Sequence, residues 1–311
     1  MADSAFFTVL THEGLLAVRG VDAGKFLQGQ LTCNLNYLND ETASLGGRCN
    51  VKGRLLSSFR ILSQGDGYLL AMAADLLEAQ LADLKKYAVF SKVTLGDEST
   101  AWVRFGLRGG DALLAGLGLQ LPAESDRVAR AGELIAVRLS DGRAELWAPA
   151  AQAAELRSRL AAELPEGSLN DWLLAQVRAG IGQVFGPTRE QFIPQMINLQ
   201  AVGGVSFRKG CYTGQEIVAR MQYLGRLKRR LHRLALDGDA LPEPGTELFS
   251  PVHGSSVGEV VLAARSENSI ELLAVLQDDA VADNRVRLAD ERPLSLLDLP
   301  YTLDSDREIQ R

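Results

Sequence analysis

The order of the elements predicted between residues 99 and 166 constrains the fold of this chain most. Apolar runs and turn residues there predict a strand at 101–107, a helix at 111–117, a hairpin of strands 133–139 and 144–148, and a helix at 150–164. A β-α-β-β-α order over about 65 residues is typical of a small α+β sandwich of ferredoxin-like type. Because the chain has 311 residues, we expect further domains on both sides of this unit.

The flanking segments have different patterns. Before the unit, Asp22 is a predicted helix N-cap, strands 54–62 and 68–73 form a predicted hairpin, and Asp75 with Glu78 predicts a second capped helix. After a break at 165–167, Ser168 with Asp171 predicts another capping box. Beyond residue 226, short strands at 231–236, 246–249, 256–263 and 269–276 alternate with turn residues, which predicts a small antiparallel barrel.

Composition excludes several classes of protein. Hydrophobic residues make up 46% and charged residues 23% of the chain, which is typical of a globular protein and excludes a disordered chain, a collagen-like fibre or a coiled coil. No uncharged apolar run of about 18 residues occurs, and the first ten residues contain no Lys or Arg, so we expect neither a membrane span nor a secretory signal. Three cysteines at wide spacing exclude a disulfide framework and favour a cytoplasmic location.

The charge is unevenly distributed along the chain. The formal net charge is −6, yet residues 208–233 hold eight basic residues and one acid, and residues 234–311 hold 16 acids and six basic residues. The basic stretch is either a solvated face with intramolecular ion pairs or a local site for phosphates or a polycarboxylate ligand.

The most informative stretch is residues 208–220. Thr213 and Glu216 have the spacing of a capping box, so we expect a helix to begin at Gly214, with Cys211 just outside its N-terminus. The helix dipole and Lys209 would both favour a thiolate at Cys211. The alternative is an inert core thiol beside a helix cap.

Other site chemistries find no support in the spacing of residues. The cysteines Cys33, Cys49 and Cys211 form no CxxC pair and the three histidines are scattered, so no metal site is predicted, and Cys33 and Cys49 are interpreted as buried small hydrophobes. The G-x-S-x-G motif of a Ser-His-Asp hydrolase and the glycine-rich phosphate loops are absent.

The run Lys-Gly-Cys-Tyr-Thr-Gly-Gln-Glu at 209–216 resembles the motif of the YgfZ family of folate-binding, tRNA-modifying proteins. Further similar stretches lie at 28–30, 84–93, 191–195 and 198–200, in the order of that family. The resemblance spans most of the chain. The wider superfamily is that of the glycine-cleavage T protein and its dehydrogenase relatives, which bind tetrahydrofolate.

The resemblance implies an α+β, T-protein-like ring of three parts. A discontinuous folate-binding domain comes from residues 1–98 and 167–225, a ferredoxin-like domain from 99–166, and a C-terminal antiparallel β-barrel from 226–311. It also implies tetrahydrofolate, or a folate derivative, as cofactor. The family is associated with assembly, maintenance or activity of iron–sulfur enzymes, including one that thiomethylates tRNA.

Trp172 matches a family tryptophan assigned to folate binding. An indole face stacks on a flat pterin with about 0.5–1.5 kcal/mol beyond area burial, and the alternative is a core residue of an amphipathic helix. Gln195, Lys209 and Arg220 are further candidates for lining the folate site or holding its anionic glutamate tail. The alternatives are loop hydrogen bonding for Gln195 and ordinary surface charge for the other two.

Two positions depart from the superfamily pattern. A second family tryptophan near the N-terminus falls on Glu13, which puts the detailed pterin pocket in question. Where the T protein has an aspartate after a glycine turn, this chain has Ser57 and Ser58. Because a serine holds no negative charge near neutral pH, we expect no aminomethyl transfer by the T-protein mechanism.

Three hypotheses follow from these residues. The first is a tetrahydrofolate-binding accessory protein for iron–sulfur enzymes, with Cys211 as the functional thiol. The second is a folate-dependent one-carbon transferase, and the third is a tRNA-binding module that uses the basic cluster at 226–233. For the first we expect a cytoplasmic monomer whose partners are iron–sulfur enzymes such as a tRNA methylthiotransferase, with indirect tRNA contact and no membrane association.

Overall fold

The computed structural model describes residues 4–303, in which fifteen strands form three five-stranded sheets. The strands are β1 (Phe6–Val9), β2 (Glu13–Arg19), β3 (Ala43–Cys49), β4 (Leu55–Gln64), β5 (Gly67–Ala73), β6 (Thr94–Asp97), β7 (Trp102–Arg108), β8 (Val128–Ala131), β9 (Leu134–Arg138), β10 (Ala144–Pro149), β11 (Arg229–Leu236), β12 (Glu247–Leu248), β13 (Gly258–Arg265), β14 (Ile270–Gln277) and β15 (Leu294–Leu297). The α-helices are α1 (Ala23–Gln28), α2 (Leu77–Tyr87), α3 (Asp111–Gly116), α4 (Ala153–Glu163), α5 (Leu169–Arg178), α6 (Gln215–Tyr223) and α7 (Asp278–Asp283). The predicted barrel segment extends to residue 311, and its residues 304–311 lie outside the described part, as do residues 1–3 at the chain start.

The first sheet has the strand order β3-β4-β5-β2-β6 and is antiparallel throughout. Side chains of its strands alternate between two apolar faces, as a sheet buried on both sides requires. One face packs with residues of α1 and α2, among them Phe26 and Leu84. The opposite face, with Leu15 and Leu69, packs against the second sheet.

The second sheet has the order β1-β7-β10-β9-β8. Strands β7, β9 and β10 and helices α3 and α4 confirm the elements predicted for this unit, whereas β8 was missed. The first strand of the chain, β1, pairs antiparallel with β7, and Phe7 packs edge to face with Phe105 at 6.3 Å between ring centres. The start of the chain therefore completes a sheet whose other strands lie beyond residue 101.

The third sheet, of order β12-β13-β14-β11-β15, closes into the predicted barrel. Arg287 forms a bridge with Phe249, directly after β12, and another with Pro293, directly before β15. These bridges join the two edge strands, so the curled sheet leaves few unpaired backbone groups at its edges. The sequence pattern predicted β11 to β14 and missed α7 and β15.

Helix α5 connects the barrel to the rest of the molecule. Its predicted capping box is present. The Ser168 hydroxyl accepts a hydrogen bond from the backbone N–H of Asp171, and the Asp171 carboxylate accepts one from the backbone N–H of Ser168. Leu174 and Val177 of this helix lie in one core with barrel residues such as Leu273. The helix thereby presents its remaining face to the two other sheets.

Three predicted side-chain caps are absent. Asp22 accepts a hydrogen bond from the backbone N–H of Lys92, and Asp75 accepts one from Gly186, instead of capping the helices that follow them. The predicted capping box of Thr213 and Glu216 is absent as well, because the N-cap residue of α6 is Gly214, which has φ +83° and no side chain to cap the helix. For the two aspartates, a tertiary contact to a distant loop takes the place of the local cap.

Candidate functional site

A cavity lies where the first and second sheets meet α5. Its free volume is about 50 Å³, enough for a few water molecules. Its polar lining comes from strands, turns and the helix and comprises Glu13, Ser58, Arg60, Arg143, Glu145, Trp172, Gln176 and Gln183. An aromatic wall with a few convergent polar groups is the usual lining of a small-molecule site, and a ligand the size of a pterin enters this one only when lining side chains move.

Trp172 is part of the wall of this cavity. It is 3% exposed, and the Arg143 guanidinium lies over its ring at 4.0 Å from the centre. Arg143 also donates to the Trp172 carbonyl oxygen (2.9 Å) and to the Asp141 carboxylate (2.6 Å). Gly106 makes room for the indole, because a Cβ there would lie 2.5 Å from Trp172 Cε3. A flat ligand that stacks on the guanidinium-covered face must displace Arg143.

A buried network of charges borders the cavity and joins the two facing sheets. Arg104 of β7 pairs with Glu13 of β2 (2.6 Å) and with Glu145 of β10 (2.7 Å), and Arg60 of β4 pairs with Glu145 (3.3 Å). The Trp147 indole N–H also donates to Glu145, at 2.9 Å. Since all these groups are shielded from water, each charge depends on its partners.

The arginines keep both carboxylates ionised. Burial alone would raise the pKa of Glu145, but Arg104 and Arg60 outweigh it and lower that pKa to about 2. The pKa of Glu13 is also lowered, because Arg104 and His12 outweigh burial. A carboxylate with a depressed pKa is a weak base, so neither group is suited to proton abstraction near neutral pH.

The pKa of Glu145 predicts a loss of stability in acid. Its folded-state pKa of about 2 is below the ordinary value of 4.5, so its contribution is complete above pH 4.5 and is lost as the pH falls towards 2. We expect the free energy of unfolding to decrease by on the order of 3 kcal/mol over this window because of this group. Chemical denaturation at a series of pH values from 5 to 2.5 measures this decrease in the free energy of unfolding.

The matched variants for this prediction are Glu145→Gln and Glu166→Gln. Glu166 pairs with Arg157 at the surface, where ion pairs contribute little. We expect Glu145→Gln to be less stable at pH 7 and to have a shallower pH dependence, whereas Glu166→Gln keeps the parent slope. Equal slopes in all three proteins would rule out the role of Glu145.

The two serines that replace the T-protein aspartate are both buried and hydrogen-bonded. Ser58 lines the cavity and its Oγ accepts from the Val184 backbone N–H at 2.9 Å, while Ser57 Oγ donates to Gln80 at 3.2 Å. Both side chains therefore hold the backbone around the cavity, and neither supplies a charge.

Cys211 is exposed, on the segment that leads into α6, whereas Cys33 and Cys49 are buried as predicted. Glycine is required at Gly214, because φ is +83° and a Cβ would lie 2.4 Å from the Asn50 carbonyl oxygen. The Thr213 backbone N–H donates to the Gly29 carbonyl oxygen at 3.1 Å. The segment that carries the thiol is therefore held against the loops around Gly29 and Asn50.

The other predicted site residues lie outside the cavity lining. The Lys209 ammonium donates to the carbonyl oxygens of Leu31 (2.6 Å) and Cys33 (2.7 Å), and burial lowers its pKa to about 8. Gln195 is buried and donates to the Val218 carbonyl oxygen at 2.8 Å. Arg220 is exposed on α6. Of the five predicted residues, the structure places Trp172 alone in the cavity wall.

The basic cluster at 226–233 is partly neutralised within the barrel. Arg229 pairs with Glu259 (2.5 Å) and Arg233 with Glu271 (2.7 Å), and Leu231 between them and Leu234 after them are buried. These guanidinium groups are therefore already paired, which weakens the hypothesis of a tRNA-binding stripe along this strand.

Sequence reasoning missed the buried charge network that borders the cavity. Arg60, Arg104 and Glu145 lie on three different strands, and their spacing along the chain carries no motif. One signal was available, since charged residues within otherwise apolar strands are rarely fully buried unless they are paired. That signal would have marked Arg104 and Glu145 as buried, paired charges, without naming their partners.

Comparison with solved structures identifies the class of fold. The glycine cleavage system aminomethyltransferase T from Bartonella henselae superposes with a TM-score of 0.72, covering 97% of this chain and 88% of that one at 18% identity. The three-part arrangement described above is therefore a T-protein-like fold, as expected. Among the described residues, no helix is long and apolar enough to cross a membrane.

Comparison of sequences gives the family. The tRNA-modifying protein YgfZ of Serratia proteamaculans (strain 568) is 35% identical over 302 residues, which cover 94% of this chain and 91% of the relative. The protein of the same name from Escherichia fergusonii is 35% identical over 298 residues, with 93% and 91% coverage. No family model matches the chain. The chain belongs to the YgfZ family of tRNA-modifying proteins.

Proposed function

We propose that this protein binds tetrahydrofolate and acts as an accessory factor for iron–sulfur enzymes, including one that thiomethylates tRNA, with Cys211 as its functional thiol. The observation that carries the folate part is the Trp172 cavity between the two sheets. The relatives' name, tRNA-modifying protein, supports the link to tRNA. The exposure of Cys211 supports its role, since a thiol that reacts with a partner must be accessible.

The chemistry of the cavity lining suits a pterin once Arg143 moves off the Trp172 ring. A pterin is flat and carries donors and acceptors along its edge, so it needs a planar surface and polar groups around it. When Arg143 moves off the ring, Trp172 supplies a planar surface. Glu13 and Gln183, which are hydrogen-bonded to each other at 2.7 Å, supply acceptors and donors at the wall. Glu13 takes the place of a family tryptophan, so here a carboxylate replaces the second stacking surface.

A second cleft along α5 is the place that we propose for the anionic glutamate tail. Its lining includes Arg108, Arg178 and Tyr301, and also Asp141, whose carboxylate holds the guanidinium of Arg143. Arg178 also pairs with Glu271 at 2.6 Å. We place the tail here rather than at Lys209, whose ammonium is bound to two backbone carbonyl groups.

The alternative of a one-carbon transferase has less support. The carboxylates at the cavity, Glu13 and Glu145, are both paired with Arg104, and Ser58 carries no charge. Bound tetrahydrofolate would supply one-carbon or redox chemistry, whereas the residues of this chain bind and orient it. We also propose that tRNA contact is indirect, because two arginines of the 226–233 cluster are paired within the barrel.

Titration with tetrahydrofolate tests this proposal. We expect saturable binding that Trp172→Leu weakens at least tenfold, since the lost stacking and burial are worth about 1.4 kcal/mol or more. The control is Trp102→Leu: Trp102 is half-buried outside this cavity and donates to Glu98. Equal affinity for the parent and Trp172→Leu, or no binding to the parent, would contradict the proposal.

A further inference from the structure

The exposed face of α6 carries an apolar surface that is continuous with a neighbouring loop. Ile217 of the helix is 36% exposed, and Leu224, the C-cap residue seven positions later, is 84% exposed. The Leu224 backbone N–H donates to the carbonyl oxygen of Arg220, which lies between them. Ile217 packs on Gly53: a Cβ added at Gly53 would lie 2.8 Å from the Cβ of Ile217. Val51, in the same loop as Gly53, is 74% exposed. We call the surface formed by Val51, Ile217, Arg220 and Leu224 the α6 face.

The α6 face is surrounded by positive charge and leads to Cys211. Five exposed cations lie on its segments: Lys52, Arg208, Arg220, Arg226 and Lys228. Within residues 4–303 none of these five belongs to an ion pair, and Glu216 is the one acid in the stretch 208–233. The exposed Cys211 lies at the N-terminal end of the helix.

The chemistry of the face discriminates between possible occupants. Its exposed apolar groups are mostly aliphatic, whereas RNA bases stack on aromatic or guanidinium planes, so RNA would use the cations and leave Val51 and Leu224 uncovered. A second copy of the chain would bring the same cations together across a two-fold axis, which disfavours self-association. An acidic protein surface with an apolar centre satisfies both the aliphatic groups and the cations.

We propose that the α6 face docks a protein partner that presents apolar side chains surrounded by Asp and Glu, and that docking brings this partner to Cys211. The inference rests on the proposed function, in which the partner is the iron–sulfur enzyme that Cys211 serves. Because the rim is cationic, electrostatic attraction accelerates association, and binding weakens as the salt concentration rises.

Binding of the purified tRNA methylthiotransferase of the same organism tests the inference. Three variants are compared with the parent: Val51→Ser/Leu224→Ser removes apolar groups, Arg220→Glu reverses a charge, and Val252→Ser removes an exposed apolar group of the barrel. We expect the first two to weaken binding at least tenfold, Arg220→Glu also to reduce the salt dependence, and Val252→Ser to bind like the parent. Unchanged thermal unfolding shows that each variant is folded.

Several results would overturn the inference. One is that the enzyme does not bind the parent, or binds all variants with equal affinity. Another is a dimer in sedimentation that Leu224→Ser dissociates, which would make a second copy the occupant. A third is tRNA binding that Arg220→Glu weakens and Val51→Ser does not, which would make RNA the occupant. The proposed function has a separate readout, tRNA thiomethylation in cells lacking the gene. If the parent restores thiomethylation and yet does not bind the enzyme, docking fails and the function stands; if deletion leaves thiomethylation intact, the proposed function fails.

Discussion

Replacing Arg104 with methionine is expected to lower the free energy of unfolding by about 3–5 kcal/mol. Arg104 is 4% exposed and pairs with Glu13 and Glu145, so its removal leaves two buried carboxylates with fewer counter-charges. The variant also loses the contact of the guanidinium with the Trp147 ring, at 4.4 Å from the centre. Since Arg104 lies on the second sheet and Glu13 on the first, the variant also loses one of the ion pairs that link the two sheets.

Urea unfolding at pH 7 measures this change, and Arg157→Met is its control. Arg157 forms an ion pair with Glu166 in which both side chains are largely solvated, 58% and 38% exposed, so we expect a loss below about 1 kcal/mol. If Arg104→Met and Arg157→Met lower the free energy of unfolding by the same amount, the buried charge network is not a main contributor to stability. A partial recovery in Arg104→Met/Glu145→Leu would identify the uncompensated charge as the cause.

Replacing Cys211 with serine is expected to abolish function in the cell while leaving the fold and folate binding intact. The side chain is exposed, so the substitution removes a thiol without creating a cavity. A serine hydroxyl does not ionise near neutral pH and forms no disulfide or persulfide, so a thiol function has no substitute. We expect thiomethylated tRNA nucleosides to fall at least tenfold, to the level of cells without the gene.

The matched control for Cys211→Ser is Cys49→Ala. Cys49 is 0% exposed and burial raises its pKa to about 12, so it stays a neutral thiol in the core. We expect this variant to lose stability and to keep thiomethylation wherever enough folded protein remains. Mass spectrometry of tRNA hydrolysates measures thiomethylation. Full thiomethylation in cells with Cys211→Ser would show that the thiol is not required for function.

Local patterns predicted the elements whose partners are near in the chain. The hairpin of β4 and β5 and the Ser168 capping box were found because their signals lie within a few residues. Strand β1 was not assigned to the second sheet, since its partner β7 begins more than 90 residues later. Strand β8, with the sequence Val-Ala-Arg-Ala, has too short a pattern to predict a strand.

The site was predicted unevenly for the same reason. Trp172 and Cys211 came from motifs, and the structure places the first in the cavity wall and the second at the surface. Arg143 lies over Trp172 from a turn 29 residues earlier in the chain, and no spacing rule connects the two. Lys209 was expected to influence Cys211, but burial and two carbonyl oxygens direct its ammonium to the segment of Leu31.

The pairing of β1 with β7 has a consequence during synthesis. At roughly 5–20 residues per second, the ribosome completes β7 on the order of 5–20 s after it completes β1. For that time Phe6 and Phe7 have no sheet to join, and the nascent chain exposes an apolar strand. For the same reason, a fragment that starts at residue 99 leaves the edge of β7 unpaired.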